Sequence, residues 1–256
     1  MSRLAILLYG VVGYAVFFAT FLYLIGFVSG LVVPMTVDHG GPQSSLLAAI
    51  LIDVALIGLF AVQHTIMARP RFKAALTRIV PAPAERTTFM LVTCAVFALM
   101  FTQWRAMPTV LWSVDGPLYW AIHGVAFVGW GMVLLSTFLI DHFDLFGLRQ
   151  TWLASRGQPY TQRRFQERSL YRVVRHPLML GFLVAFWASP TMSVGHLVFA
   201  STYTGYVLMA LFVEERDLVA QHGDAYRDYQ RRVPKLLPLG RGRPQSGDRS
   251  PVTQTV

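Results

Sequence analysis

Apolar residues in this chain do not alternate with polar ones; they run in long blocks separated by short polar stretches. Six blocks stand out: Leu4–Val33, Leu46–Met67, Thr87–Met107, Leu118–Ile140, Leu178–Ser189 and Val194–Val213. A helix needs about 20 mostly apolar residues to cross a bilayer, and all but the fifth block reach that length. The fifth holds about 12 residues, roughly 18 Å of helix. Ser189-Pro190 ends it, because proline cannot continue the hydrogen-bond ladder. It is expected to cross only part of the bilayer, or to tilt in a hairpin with the sixth. The predicted fold class is all-α: a polytopic membrane helix bundle of about six apolar segments, with a cytoplasmic loop and a C-terminal helix. A membrane β-barrel would show alternation instead.

Composition supports this pattern. Hydrophobic residues make up 54% and charged residues 14% of the chain, and the mean hydropathy is +0.48. A soluble domain carries about 25% charged residues. The net charge of +9 could suggest nucleic acid, but the basic residues have another distribution. With the N-terminus inside, every lysine and arginine except Arg105 falls on the inner loops or the C-terminal region. The positive-inside rule then places both termini in the cytoplasm. The charge faces anionic membrane lipid, and no nucleic-acid partner is expected. The first block is too long for a signal-peptide core and reads as a retained span.

Residues 1–238 read as one integral-membrane domain. Residues 239–256, rich in Gly, Arg, Pro and Ser, have nothing apolar to bury and are expected to be disordered. The loop Asp141–Arg175 is the longest between blocks, and loops of that length are usually functional or disordered. Its aromatic content argues for order, with short helical pieces near Tyr160–Tyr171. The single cysteine, Cys94, lies in an apolar block and reads as a core residue. It rules out a disulfide within the chain and thiolate-ligated zinc. No histidine pair has recognisable haem-ligand spacing, and no metal is expected.

The chemistry concentrates at the feet of the last hairpin. Pro177 suits the first turn of a helix, and His176 before it is pushed into an extended conformation. Arg175-His176 therefore cap an electropositive helix N-terminus, which favours anions. Gly181 allows close approach of a ligand or a helix. Glu214 and Glu215 return at the other foot and point about 100° apart. One can face the junction while the other meets Arg216 or a loop arginine. Such a junction suits a ligand with both charges: the guanidinium takes a carboxylate, and a glutamate takes an amine or ribose hydroxyls. Tyr226 and Tyr229 could stack on a base or hydrogen-bond to it. The plainer alternative is a set of interfacial anchors and salt bridges.

The order Arg-His-Pro-x-x-x-Gly, Glu-Glu-x-x-Leu, Gly-x-x-Tyr-x-x-Tyr and Val-Pro-x-x-x-Pro over residues 175–238 resembles the isoprenylcysteine carboxyl methyltransferase and phospholipid methyltransferase superfamily. These are integral-membrane enzymes using S-adenosyl-L-methionine. The resemblance implies that Tyr171, Arg175, His176, Pro177, Leu178, Gly181, Glu214, Glu215, Tyr226 and Tyr229 lie at or near that cofactor. Ser136–Gln150, Gln63-His64 and the loop Pro81–Arg86 are similar to a narrower group that methylates a small thiol, methanethiol, to dimethyl sulfide. A neighbouring family linked to denitrification shares the architecture. The alternatives are methylation of a lipid amine or an isoprenylcysteine carboxyl group, or a membrane protein of this fold without turnover. Gly129-Trp130-Gly131 resembles a cofactor-binding glycine motif, although small residues in spans more often serve helix packing.

A thiol must lose its proton, because the thiolate is the nucleophile. His142 is a candidate base, oriented by Asp141 or Asp144; His64, beside Gln63, and His176 are others. The plainer reading is that Asp141, His142 and Asp144 cap the fourth block and pair with loop arginines. Asp53 lies within the second block, where a carboxylate is costly; it reads as a paired or protonated structural acid. His123 and His196 read as interfacial.

Overall fold

A computed structural model of the protein describes residues 2–161 and 169–238. The tail 239–256 and part of the Tyr160–Tyr171 stretch lie outside the described residues. The elements run α1 (Arg3–Ser29), α2 (Leu46–Met67), α3 (Pro70–Leu76), α4 (Glu85–Gln103), β1 (Val110–Ser113), α5 (Gly116–Ile140), α6 (His142–Leu145), α7 (Leu148–Ser155), α8 (Pro177–Trp187), β2 (Thr191–Ser193), α9 (Val194–His222) and α10 (Asp224–Arg232). Five helical segments, containing α1, α2, α4, α5 and α9, are long and apolar enough to cross a membrane. This is an integral-membrane helix bundle, as the apolar blocks predicted. Its outward faces carry side chains such as Leu51, Val128 and Phe212, all more than half exposed; these suit lipid.

Several helix ends differ from the predicted ones. The first helix stops at Ser29 rather than Val33. Gly30 takes a left-handed conformation (φ 70°) and turns its N–H back to the Gly26 carbonyl, the common glycine stop. The third block leaves the helix at Trp104 instead of Met107. There the indole N–H of Trp104 donates to Val37 O (3.0 Å), and the backbone N–H of Arg105 donates to Asp53 Oδ1 (2.9 Å). Asp53 is fully buried and anchors this helix exit, the structural role its sequence position suggested. At the opposite end of the chain, α9 continues past Val213 through Glu214 and Glu215 to His222. The long loop is ordered as α6 and α7, and a 3-10 turn at Ser169–Arg172 forms at the described end of the stretch where short helical pieces were expected.

The fifth block forms α8, only 11 residues long, about 16 Å at 1.5 Å per residue. That is about half of a hydrocarbon core of roughly 30 Å. The chain completes this pass through Ala188–Pro190 and β2, which pairs antiparallel with β1. The ribbon is too short to leave an alternating pattern and was not predicted. A packed core of Phe27, Phe101, Trp130, Phe186, Phe199 and Tyr203 joins α1, α4, α5, α8 and α9.

Helices α5 and α8 meet backbone to backbone. A Cβ at Gly181 would lie 2.8 Å from Gly129 O, and one at Gly129 would lie 2.7 Å from Gly181 O. Both glycines therefore serve helix packing, and of the ligand or helix that Gly181 was expected to admit, the helix α5 takes the place. Gly181→Ala must push the helices apart. The expected cost is about 1–3 kcal/mol, read as a lower melting temperature of the detergent-solubilised protein. Gly131→Ala, with nothing within 4 Å of the added carbon, should melt no lower than wild type. Equal behaviour of the two variants would contradict this packing.

Candidate functional site at the foot of the last helix hairpin

Proline at the first position of α8 and an extended His176 before it (φ −125°) set the hairpin's start. This turn lies against the part of α9 that carries the two glutamates. Glu215 is buried and accepts from three side chains: Arg175 NH2 at 2.6 Å, Lys235 Nζ at 2.9 Å and His176 Nε2 at 3.3 Å. A carboxylate only accepts, so a neutral His176 carries its hydrogen on Nε2. Burial holds the His176 pKa below the ordinary range, opposed by the Glu215 charge.

Arg175 is engaged throughout. Its Nε donates to Glu215 (2.7 Å), and NH1 donates to the carbonyls of Gln230 (3.0 Å) and Val233 (2.5 Å). The backbone adds Arg175 N–H to Pro234 O and His176 N–H to Lys235 O. Tyr229 donates its hydroxyl to Tyr171 O (2.6 Å). Together these bonds fasten α10 and the segment after it across the junction. Sequence reasoning gave Arg175 to a ligand carboxylate; in the fold its donors hold the C-terminal segment instead. Lys235 was missed, although it lies inside the Val-Pro-x-x-x-Pro ending.

Glu214, one residue earlier, points elsewhere. Its side chain stays 48% exposed, and among the described residues its nearest basic group is His176, whose Nδ1 lies 3.8 Å away, beyond hydrogen-bond reach. Its charge reaches Tyr171, Tyr206 and Tyr226. Burial, then the Glu214 charge, pushes the Tyr171 hydroxyl up. Burial and the two glutamates push Tyr226 up to about 12. Both phenols therefore remain neutral donors. Pro177 is buried and Leu178 half-buried at the start of α8. Tyr206, also missed in the sequence, links this end to α2: its ring lies 5.4 Å from that of Phe60.

His64 lies beyond Phe60, with ring centroids 5.3 Å from Phe60 and 5.0 Å from Phe89. Its Nδ1 is buried without a hydrogen-bond partner. Neighbouring Gln63 is tied to Met67 and Thr93.

His142 is differently placed. Thr137 donates its hydroxyl hydrogen to Leu134 O (2.6 Å), so it can only accept from His142 Nδ1 (2.7 Å). The hydrogen therefore sits on Nδ1, and the Nε2 lone pair accepts from the Tyr14 hydroxyl (2.8 Å). Neither expected acid orients this ring. Asp141 caps α6 by accepting from Asp144 N–H. Asp144 pairs with Arg149 (2.9 Å), Arg86 (3.8 Å) and the Tyr160 hydroxyl (3.0 Å). The capping and loop-arginine alternative describes both acids, and Thr137 and Tyr14 hold the histidine.

An open carboxylate at the foot of a membrane helix hairpin, its charge felt by three tyrosines, marks an integral-membrane protein with a candidate ligand site at one end of its bundle. The chain belongs to the NnrU family: the family model described as NnrU protein matches residues 52–218. It is 49% identical to methanethiol S-methyltransferase 2 of Bradyrhizobium diazoefficiens, over 97% of this chain and 95% of the relative. It is 51% identical to methanethiol S-methyltransferase of Mycobacterium tuberculosis, over 93% of this chain and 98% of the relative. The protein of the same name from Crocosphaera subtropica is 46% identical, over 93% and 94%. No solved structure gives a significant match. The narrower resemblance read from Ser136–Gln150 and Gln63-His64 is borne out by these relatives.

Two outcomes follow from the geometry. Arg175→Gln breaks a buried ion pair and should lower stability by about 3–5 kcal/mol, whereas Glu214→Gln should leave the melting temperature unchanged; the reverse order would refute the division of roles. Burial also lowers the His142 pKa, only partly offset by Asp141. Below about pH 6.5 the unfolded chain takes up protons that the fold refuses. Stability should therefore fall as the pH drops from 7 toward the lowered value, and His142→Gln should flatten that slope in thermal melts.

Proposed function

We propose that this chain is an S-adenosyl-L-methionine-dependent methyltransferase that converts methanethiol to dimethyl sulfide in the membrane. The cofactor would bind at the Glu214 end of the bundle, and that end and both termini would face the cytoplasm. The observation that carries the reading is identity near 50% over almost the full length of relatives named for that reaction. The grouping of basic residues supports the orientation.

The donor set fits one part of this cofactor. Glu214 offers an accessible carboxylate beside neutral tyrosines, suited to an amino group or ribose hydroxyls. Four of the five Arg175 N–H donors are already bonded within the fold, so most of the contact with the cofactor's carboxylate would fall to other groups. When bound, the cofactor supplies a methyl group on a positively charged sulfur. The remaining work belongs to the chain: it holds the thiol, takes its proton and keeps water away. His64 can take that proton at Nδ1, because no group among the described residues occupies that atom. His142 already accepts from Tyr14, so it is a positioning residue that joins α1 to the foot of α5. The aromatic wall of Phe60 and Phe89 excludes water, and fixing two small reactants together can supply several kcal/mol.

Purified protein, methanethiol and S-adenosyl-L-methionine should yield dimethyl sulfide in headspace gas analysis. Glu214→Gln should abolish cofactor heat in calorimetric titration. His64→Ala should lower turnover by about 100-fold or more and leave cofactor affinity intact. A well-folded wild-type protein that makes no dimethyl sulfide would overturn the reading.

A further inference from the structure

The end of the bundle away from Glu214 holds a cavity of about 280 Å³ that the reaction above does not use. It follows from the short α8. Where that helix stops, Ala185, Ala188 and Ser189 form one wall, Tyr119 and His123 on α5 a second, and the end of α1 a third. Ala185 lies one turn along α8 from the Gly129–Gly181 contact, so the floor reaches the middle of the bundle. The exposed residues Gly30, His39 and Val110 form part of the lining, and the cavity is open at that rim.

His196 also lines the cavity and is only 2% exposed. Its Nε2 lies 2.8 Å from the Phe186 carbonyl oxygen. A carbonyl only accepts, so the hydrogen is on Nε2 and the neutral ring keeps a lone pair on Nδ1. Among the described residues nothing hydrogen-bonds to that lone pair. His123, 6% exposed, likewise has an Nδ1 without a partner. Asp38 already accepts the Ser193 hydroxyl. No lysine, arginine or glutamate is among the described lining residues, so anions find no counter-charge. The remaining wall, Val28, Ala126, Ala185 and Ala188, is apolar and fits an alkyl group.

A hydrogen-bond acceptor beside an apolar wall suits a small neutral molecule with one donor and one alkyl group. Resting on the thiol reading above, we propose that this cavity is a second thiol site, which holds a neutral short-chain thiol by its S–H on His196 Nδ1 at the end of the bundle away from Glu214. No bond is made or broken there.

The probe is ethanethiol, followed by saturation-transfer NMR on the detergent-solubilised full chain without cofactor. Wild type should transfer magnetisation to the ethyl protons, and His64→Ala should retain the transfer. His196→Gln keeps an amide N–H for the Phe186 carbonyl but has no acceptor at the position of the ring Nδ1, its amide oxygen lying elsewhere, and should weaken binding about fivefold, the loss of one neutral hydrogen bond. Ala188→Leu fills the cavity and should weaken it at least as much. Both variants should leave kcat and cofactor affinity at wild-type values. Transfer in His196→Gln and Ala188→Leu equal to wild type overturns the proposal. So does the absence of any transfer in wild type, or displacement of ethanethiol by methylammonium, which marks a cation site. If the transfer pattern holds but no dimethyl sulfide forms, the methyltransferase reading fails and the thiol site stands.

Discussion

The structure depends on one buried carboxylate. Glu215 is held by Arg175, His176 and Lys235, and its side chain is only 10% exposed. An unpaired charge at that depth would cost several kcal/mol, so the three partners must arrive together. They come from two places: the turn before α8 supplies Arg175 and His176, and the segment after α10 supplies Lys235. Satisfying Glu215 therefore fixes the start of the hairpin, the path of α9 and the closing segment at once. Arg175 strengthens the arrangement by donating to two carbonyls of that segment as well.

Because Glu215 absorbs the local cations, its neighbour does not. Helical geometry turns adjacent side chains about 100° apart, and Glu214 looks out beside Tyr171 and Tyr206 with half its surface accessible. One glutamate holds the fold and the other is left open to solvent. The bilayer explains the remaining asymmetry. A helix half as long as its neighbours can pack only where backbones approach closely, at Gly129 and Gly181. Beyond it the chain must pair its polar backbone some other way, because unpaired groups are costly away from water. The ribbon of β1 and β2 does so, and Asp53 does the same for the exit of α4.

Much of this was legible in the sequence, for physical reasons. Spanning helices need long apolar runs, so their number and the shortness of α8 could be read directly. Their ends could not. Gly30 ends α1 through a left-handed turn, and Trp104 ends α4 through bonds to Val37 and Asp53 that no local pattern encodes. The continuation of α9 beyond Val213 needed only good helix formers such as Glu, Arg and Leu, which hydropathy ignores. The meeting of Arg175-His176 with Glu214-Glu215 was predicted from the hairpin, and the divergence of the two glutamates from helical geometry. The carbonyl bonds of Arg175 could not be read locally, because those partners lie 55 and 58 residues away. His142 was given acidic partners from its own loop, whereas Thr137 and the distant Tyr14 hold it.

The central claim is that Glu214 receives the cofactor while Glu215 and Arg175 stay locked together. A structure determined with S-adenosylhomocysteine bound addresses it directly. The account predicts that the ligand's amino group or ribose lies on Glu214 and that the Arg175–Glu215 pair is intact. A ligand seated on Arg175 with that pair broken, or bound away from this end of the bundle, would contradict it.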